Sequence, residues 1–200
     1  MDDPGAAVLL YWLPLGAGGR VVQWNGRMYE ALVAWREHRP TRDLYHTALE
    51  LRLDGSRFVV EMAPAWSSVA ANRGVVQTGP VGHRALGRIA AFRYEVRRWR
   101  MGVIPDSADA VDGPRLVGRD RRRVRRLLDL VPEVPPLTWG RDEIGAGDMW
   151  NSNSLTAWLL AMSGHDMTAI AAPPHGRAPG WHAGLTLAAT EIAVDTLPPA

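Results

Sequence analysis

Apolar and polar positions alternate most cleanly between Leu44 and Leu53. Leu49, Leu51 and Leu53 fall on one side of an extended chain. His46, Ala48, Glu50 and Arg52 fall on the other. A period of two marks a strand with one buried face. Asp54-Gly55 follows, then Phe58-Val-Val-Glu-Met62. Asp-Gly accepts the positive φ of a type I′ turn, so the segment predicts a β-hairpin with a two-residue loop.

Elsewhere the pattern changes period. Ala6–Leu15 is a continuous apolar run closed by Gly16-Ala-Gly-Gly19, which predicts a buried strand and a tight loop. After Asn25-Gly26, Met28, Leu32 and Trp35 sit four and three apart and predict a helix to about Glu37, stopped by Pro40. Residues 74–82 carry four Gly or Pro and read as loop. Ala91–Trp99 reads as another strand. Val124, Leu127, Leu128 and Val131 form a helical stripe with Arg121, Arg122 and Arg125 on its outer side. Leu155, Trp158, Leu159 and Met162 form a second helix, with Gly164 at a C′ position. The Pro/Gly/Ala-rich tail carries one expected strand around Leu185. No internal repeat is found. These elements predict one α+β domain over residues 1–200, an antiparallel sheet of four or five strands packed with three to four helices.

Composition narrows the chemistry. The 200 residues hold 46% apolar and 22% charged side chains, the balance of a folded domain. No Cys is present, which excludes disulfides, thiolate metal sites and a Cys nucleophile. No apolar run approaches the ~20 residues of a membrane span, and the acidic Met-Asp-Asp start is unlike a secretory leader, so a cytoplasmic protein is expected. All 23 basic residues are Arg. Eleven of them lie between Arg93 and Arg126 beside five acids, a local balance of +6 against −4 for the rest. Such a stretch can neutralise phosphates. Net charge is only +2, however, and a charge run on the polar side of a helix is normally a solvated face, so a nucleic-acid partner is not expected.

Two places hold groups that could react. In the predicted hairpin register Ala48 opposes Glu61 and His46 opposes Ala63. His46 and Glu61 would then be diagonal neighbours on one face, with Cα atoms ~7–8 Å apart. A carboxylate there could orient the imidazole; a solvated polar face with an incidental His fits the same pattern. The second place is Asp148-Met-Trp-Asn-Ser-Asn-Ser154, at the start of a helix. Ser and Asn there serve as N-caps. Alternatively Ser154 is a nucleophile whose own N–H faces a developing oxyanion. His165 is expected to cap the helix end. His175 and His182 lie in Pro/Gly loops with no acid at ligand spacing, so neither metal nor cofactor is expected. Trp66, Trp150 and Trp181 are candidates to line an apolar pocket.

Together Tyr45-His46-Thr-Ala-Leu-Glu-Leu, the turn, Val59-Val-Glu61-Met-Ala-Pro64 and Asn153-Ser154 resemble the permuted papain-fold hydrolases and acyltransferases, including lecithin:retinol acyltransferase-like proteins and PPPDE deubiquitinase-like peptidases. The order of His, hairpin, long insert and Asn-nucleophile helix is similar; residues 74–147 have no counterpart. The resemblance implies that His46 is the general base and that position 154 holds the nucleophile of an amide, ester or thioester hydrolase or acyltransferase. Here Ser154 stands for the family's Cys and Glu61 for its second His. A carboxylate at 61 completes a Ser-His-acid set, and the same two changes suit a chain that has lost activity. On the first reading Ser154 attacks, His46 takes its proton and Glu61 orients His46, while Asn153, Tyr45 and Trp150 line the oxyanion and substrate side. On the second, the cleft is kept as a binding site for a peptide or small ligand. The first reading requires α-helical Ser154 to lie against the face that carries His46 and Glu61.

Overall fold

The computed structural model describes residues 5–15, 38, 40–65, 74–104 and 106–195. The strands are β1 (Ala7–Pro14), β2 (Asp43–Leu53), β3 (Ser56–Pro64), β4 (Val75–Pro80), β5 (Arg93–Arg100), β6 (Arg115–Gly118) and β7 (Gly176–Arg177). The α-helices are α1 (Arg121–Leu130), α2 (Ser152–Met162) and α3 (Trp181–Asp195). Six strands form an antiparallel sheet in the order β4-β5-β3-β2-β1-β6. The two-residue β7 pairs in parallel with the start of β2, Asp43 opposite Gly176. The class is α+β, as expected, but with six to seven strands rather than four or five.

The hairpin forms in the expected register, with Leu53 opposite Ser56. Asp54 and Gly55 have φ of 52° and 72°, the double positive pair of a type I′ turn. Alternation then sorts the side chains. Leu10, Trp12, Leu49, Leu51, Val60, Met62, Tyr94 and Val96 face α1 and α2 in the main core. Tyr11, Leu13, Ala48 and Val59 face the other way, around Ile104.

Three expectations need correction. Residues 75–80 are a strand, not a loop. They form the sheet edge, where Pro80 and Gly79 break no interior ladder; a Cβ at Gly79 would strike the ring of Tyr94. β6 and β7 were also missed, because four and two residues carry too little periodicity to be read. Leu185 lies in α3, not in a strand. Its neighbours Ala183, Gly184 and Ala188 are the buried positions, and a Cβ at Gly184 would run into the Ser154 carbonyl. This small-residue face lets two helix backbones touch, a pattern that hydrophobicity does not reveal. The helix expected between Gly26 and Glu37, the Gly16–Gly19 loop and Trp66 lie outside the described residues.

The basic helix is as expected. Asp120 Oδ1 accepts from the N–H groups of Arg122 and Arg123 and so starts α1. Val124, Leu127, Leu128 and Val131 are buried, while Arg121, Arg122 and Arg125 are exposed. Arg121 and Arg125 reach Asp54 in the hairpin turn, and Arg126 Nε donates to the Met162 carbonyl at 2.7 Å. The helix is therefore docked by its apolar stripe and tied at its rim. Leu127 is fully buried, so Leu127→Ala should lower unfolding free energy by about 2–5 kcal/mol in denaturant titration.

Candidate functional site

α2 ends as its sequence suggests. Gly164 (φ 81°) donates to the Ala161 carbonyl and His165 to the Leu160 carbonyl, the paired bonds of a Schellman motif. The start of α2 is the richer end. A buried helix N-terminus leaves up to four N–H groups without helical partners. Here the Asn151 Oδ1 accepts from Asn153 N at 2.8 Å and from Ser154 N at 3.3 Å. Ser154 Oγ in turn accepts from Asn151 N at 3.0 Å and donates to the Met149 carbonyl at 2.9 Å. This is a reciprocal capping box, and Ser154 within it is wholly inaccessible to solvent.

The remaining polar groups hold the helix start in place. Asn153 Nδ2 donates to the carbonyls of Tyr45 (2.9 Å) and Pro179 (2.8 Å). Asn151 Nδ2 also donates to Pro179. The Asp148 carboxylate accepts from Gly180 N at 2.8 Å. Gly180 has φ 91°, and a Cβ there would enter the Asn151 side chain. Thr47 Oγ1 lies 2.9 Å from Thr156 Oγ1 and 3.1 Å from Asn153 Oδ1. The segment before α3 thus closes over the start of α2, with β2 beneath it.

His46 is placed elsewhere. Thr47 contacts α2, so its neighbour His46 projects from the opposite face of β2, in register with Leu13. Burial pushes the imidazole down to about 4, against the opposing pull of the Asp106 carboxylate. It is neutral at pH 7. Ser154 has its bonds to Met149 and Asn151 on the α2 side of the sheet, so the expected nucleophile and base are separated by the strand itself.

Glu61 shares the His46 face, as the alternation predicts, but does not turn toward it. The β2–β3 ladder stops at Leu49 opposite Val60, one pair short of Ala48 and Glu61. On its other edge β3 is paired with β5 from Phe58 to Pro64, and Glu61 stands opposite Arg97. Arg97 Nη1 lies 2.9 Å from Glu61 Oε1, and Arg97 Nη2 lies 2.9 Å from Glu95 Oε2. All three side chains are buried. Burial raises the Glu61 pKa, opposed by its bond to the Arg97 guanidinium and raised further by Glu95. The Glu61 carboxylate expected to orient His46 is therefore bonded to Arg97 instead.

The lining residues also find other partners. The Tyr45 ring covers Gly176, where no Cβ fits, and only its carbonyl reaches Asn153. Trp150 is in the main core, 1% exposed, rather than in a cleft. Trp181 is half-buried against Trp12, ring centres 5.2 Å apart. Asn151 and Ser154 form the cap that the Asp148–Ser154 stretch suggests, whereas nothing in the sequence singles out Thr47, Glu95 or Arg97. The Asn-x-x-Ser spacing of 151 and 154 carries the signal for the cap; Glu95 and Arg97 are visible only as alternate positions of β5. Among the described residues no three His, Asp or Glu come together as metal ligands. Comparison with family models, with curated proteins and with solved structures gives no match.

Two tests follow from these environments. A His whose folded pKa is depressed leaves the unfolded chain to take up the proton first. The stability His46 contributes is complete above about pH 6.5 and declines as pH falls toward about 4. That interval corresponds to roughly 3 kcal/mol. Unfolding titrations of His46→Gln should therefore be flatter across it than those of the parent. Arg97→Met removes the guanidinium that bridges Glu61 and Glu95 and should cost about 3–5 kcal/mol at neutral pH in denaturant titration, with less loss in acid as Glu61 protonates.

Proposed function

We propose that this protein is a non-catalytic binding domain on a permuted papain-like scaffold, which takes a peptide or small ligand and performs no acyl transfer at Ser154. The observation that carries this reading is the capping box. A serine nucleophile needs a base within about 2.6–3.2 Å to accept its proton. Ser154 Oγ directs its proton to the Met149 carbonyl, and His46 lies across the sheet. An oxyanion site also needs uncommitted N–H donors. The N–H groups of Asn153 and Ser154 are already given to Asn151. The scaffold assignment rests on the order of His46, hairpin and Asn153-Ser154 helix, together with the antiparallel α+β architecture.

Fluorophosphonate and acyl-ester probes, followed by peptide mass spectrometry, test the reading. No label is expected on Ser154, and Ser154→Cys should be equally silent toward thioester and amide probes. Ser154→Ala should act on stability instead, lowering it by about 1–2 kcal/mol through the lost cap and the lost buried hydrogen bond. A peptide or small molecule that raises the melting temperature should do so in Ser154→Ala as in the parent. Covalent label on Ser154 that disappears in His46→Ala would overturn the proposal and restore the serine hydrolase or acyltransferase.

A further inference from the structure

The connection from β4 to β5 carries three of the nine large apolar side chains exposed among the described residues. Two short 3₁₀ turns, Arg84–Arg88 and Ala90–Phe92, follow the edge strand, and neither contains a buried residue. Leu86, Ile89 and Phe92 recur at every third position and are 36%, 52% and 42% exposed. Ala85, Ala90 and Ala91 between them are exposed too. The base of the segment is fixed. Gly82 N donates to the Trp139 carbonyl at 2.9 Å, Arg141 Nε bonds the Gly82 carbonyl, and His83 Nδ1 accepts from Ala85 N. A mobile loop can hide an apolar side chain; a pinned one presents it.

The charges carried by this segment itself have one sign. No Asp or Glu occurs between Glu61 and Glu95, whereas Arg84, Arg88 and Arg93 flank the three apolar residues. Arg84 Nε has Glu143 Oε1 at 3.4 Å yet keeps 76% of its side chain in solvent. Among the described residues Arg88 and Arg93 form no ion pair with a carboxylate. The exposed area of Leu86, Ile89 and Phe92 is on the order of 250 Å², against about 800 Å² per partner in a standard protein interface. An apolar ridge this small, rimmed by guanidinium groups, has the chemistry of an interfacial element: side chains enter the acyl boundary while arginines meet lipid phosphates.

We propose that the Arg84–Phe92 segment is a docking surface for anionic phospholipid membranes, with Leu86, Ile89 and Phe92 inserted and Arg84, Arg88 and Arg93 on the headgroups. It is carried by the surface alone and does not depend on how Ser154 is read. Co-sedimentation with sucrose-loaded vesicles tests it, using phosphatidylcholine alone and phosphatidylcholine with about 30% phosphatidylserine. The full chain should pellet with the anionic vesicles and several-fold less with the neutral ones. Ile89→Asp should lower that partition about tenfold or more. Arg84→Gln/Arg88→Gln should remove the preference for phosphatidylserine, and raised salt should do the same. Val194→Ser alters another exposed apolar residue, 62% accessible and outside the ridge, and should behave as the parent. All substituted sites are exposed, so melting temperatures should stay at the parent value. A parent that stays in the supernatant with both vesicles, or an Ile89→Asp variant that pellets as the parent does, overturns the proposal. An empty pellet with a concentration-dependent dimer that Ile89→Asp dissociates would identify the ridge as a self-association face instead.

Discussion

A helix start can be buried only if its free N–H groups are given acceptors, and that constraint organises this molecule around Asn151. Its carboxamide oxygen takes two N–H groups of α2, while its amide nitrogen holds the Pro179 carbonyl. Asn153 repeats the device toward Tyr45 and Pro179. β2, α2 and the entry to α3 therefore meet at one satisfied polar knot. Unpaired, each buried group in it would cost about 1–3 kcal/mol. The apolar core surrounds this knot, and Gly184 and Ala157 bring α3 onto α2 immediately beyond it.

The same packing decides the chemistry. Consecutive strand residues point to opposite faces. Once Thr47 is bonded into the α2 knot, His46 must occupy the other face, in register with Leu13. On that face the acids are paired with arginines: Glu50 with Arg52 and Arg57, and Glu61 and Glu95 with Arg97. A buried set such as Glu61, Arg97 and Glu95 is a poor source of net stability, because desolvation offsets its attraction. Losing one partner is nevertheless expensive, so the set specifies which strand lies beside which. Arg97 bridging β3 to β5 is such a device, and it takes Glu61 away from any partnership with His46.

Much of this was legible from the chain. The type I′ turn, the strict alternation of Leu49, Leu51 and Leu53, the stripe Val124-Leu127-Leu128-Val131 and the Gly164 stop are local signals, and each appears as read. The shared face of His46 and Glu61 was also legible, because it follows from period two and one turn. What could not be read was which face would receive α2. Hydrophobicity favours the Leu49–Leu51 face, but the requirement of a Ser-His-acid set pulled the expected position of Ser154 to the other. Nor does the sequence show that the hairpin ladder ends at Leu49–Val60, or that β5 takes the other edge of β3 and sets Arg97 opposite Glu61. α3 was misread because its buried face is made of Gly and Ala, and its packing shows only once two helices are in contact.

The central claim is that the first turn of α2 is a closed structural cap. First-turn amides of a helix ordinarily exchange quickly because they lack partners. Native-state amide hydrogen exchange, followed residue by residue by NMR, separates the alternatives. The account predicts that Asn153 and Ser154 N–H are protected nearly as strongly as the core amides of β2. Exchange of both at rates close to the unprotected chain would mean that these donors are open to solvent, and would contradict it.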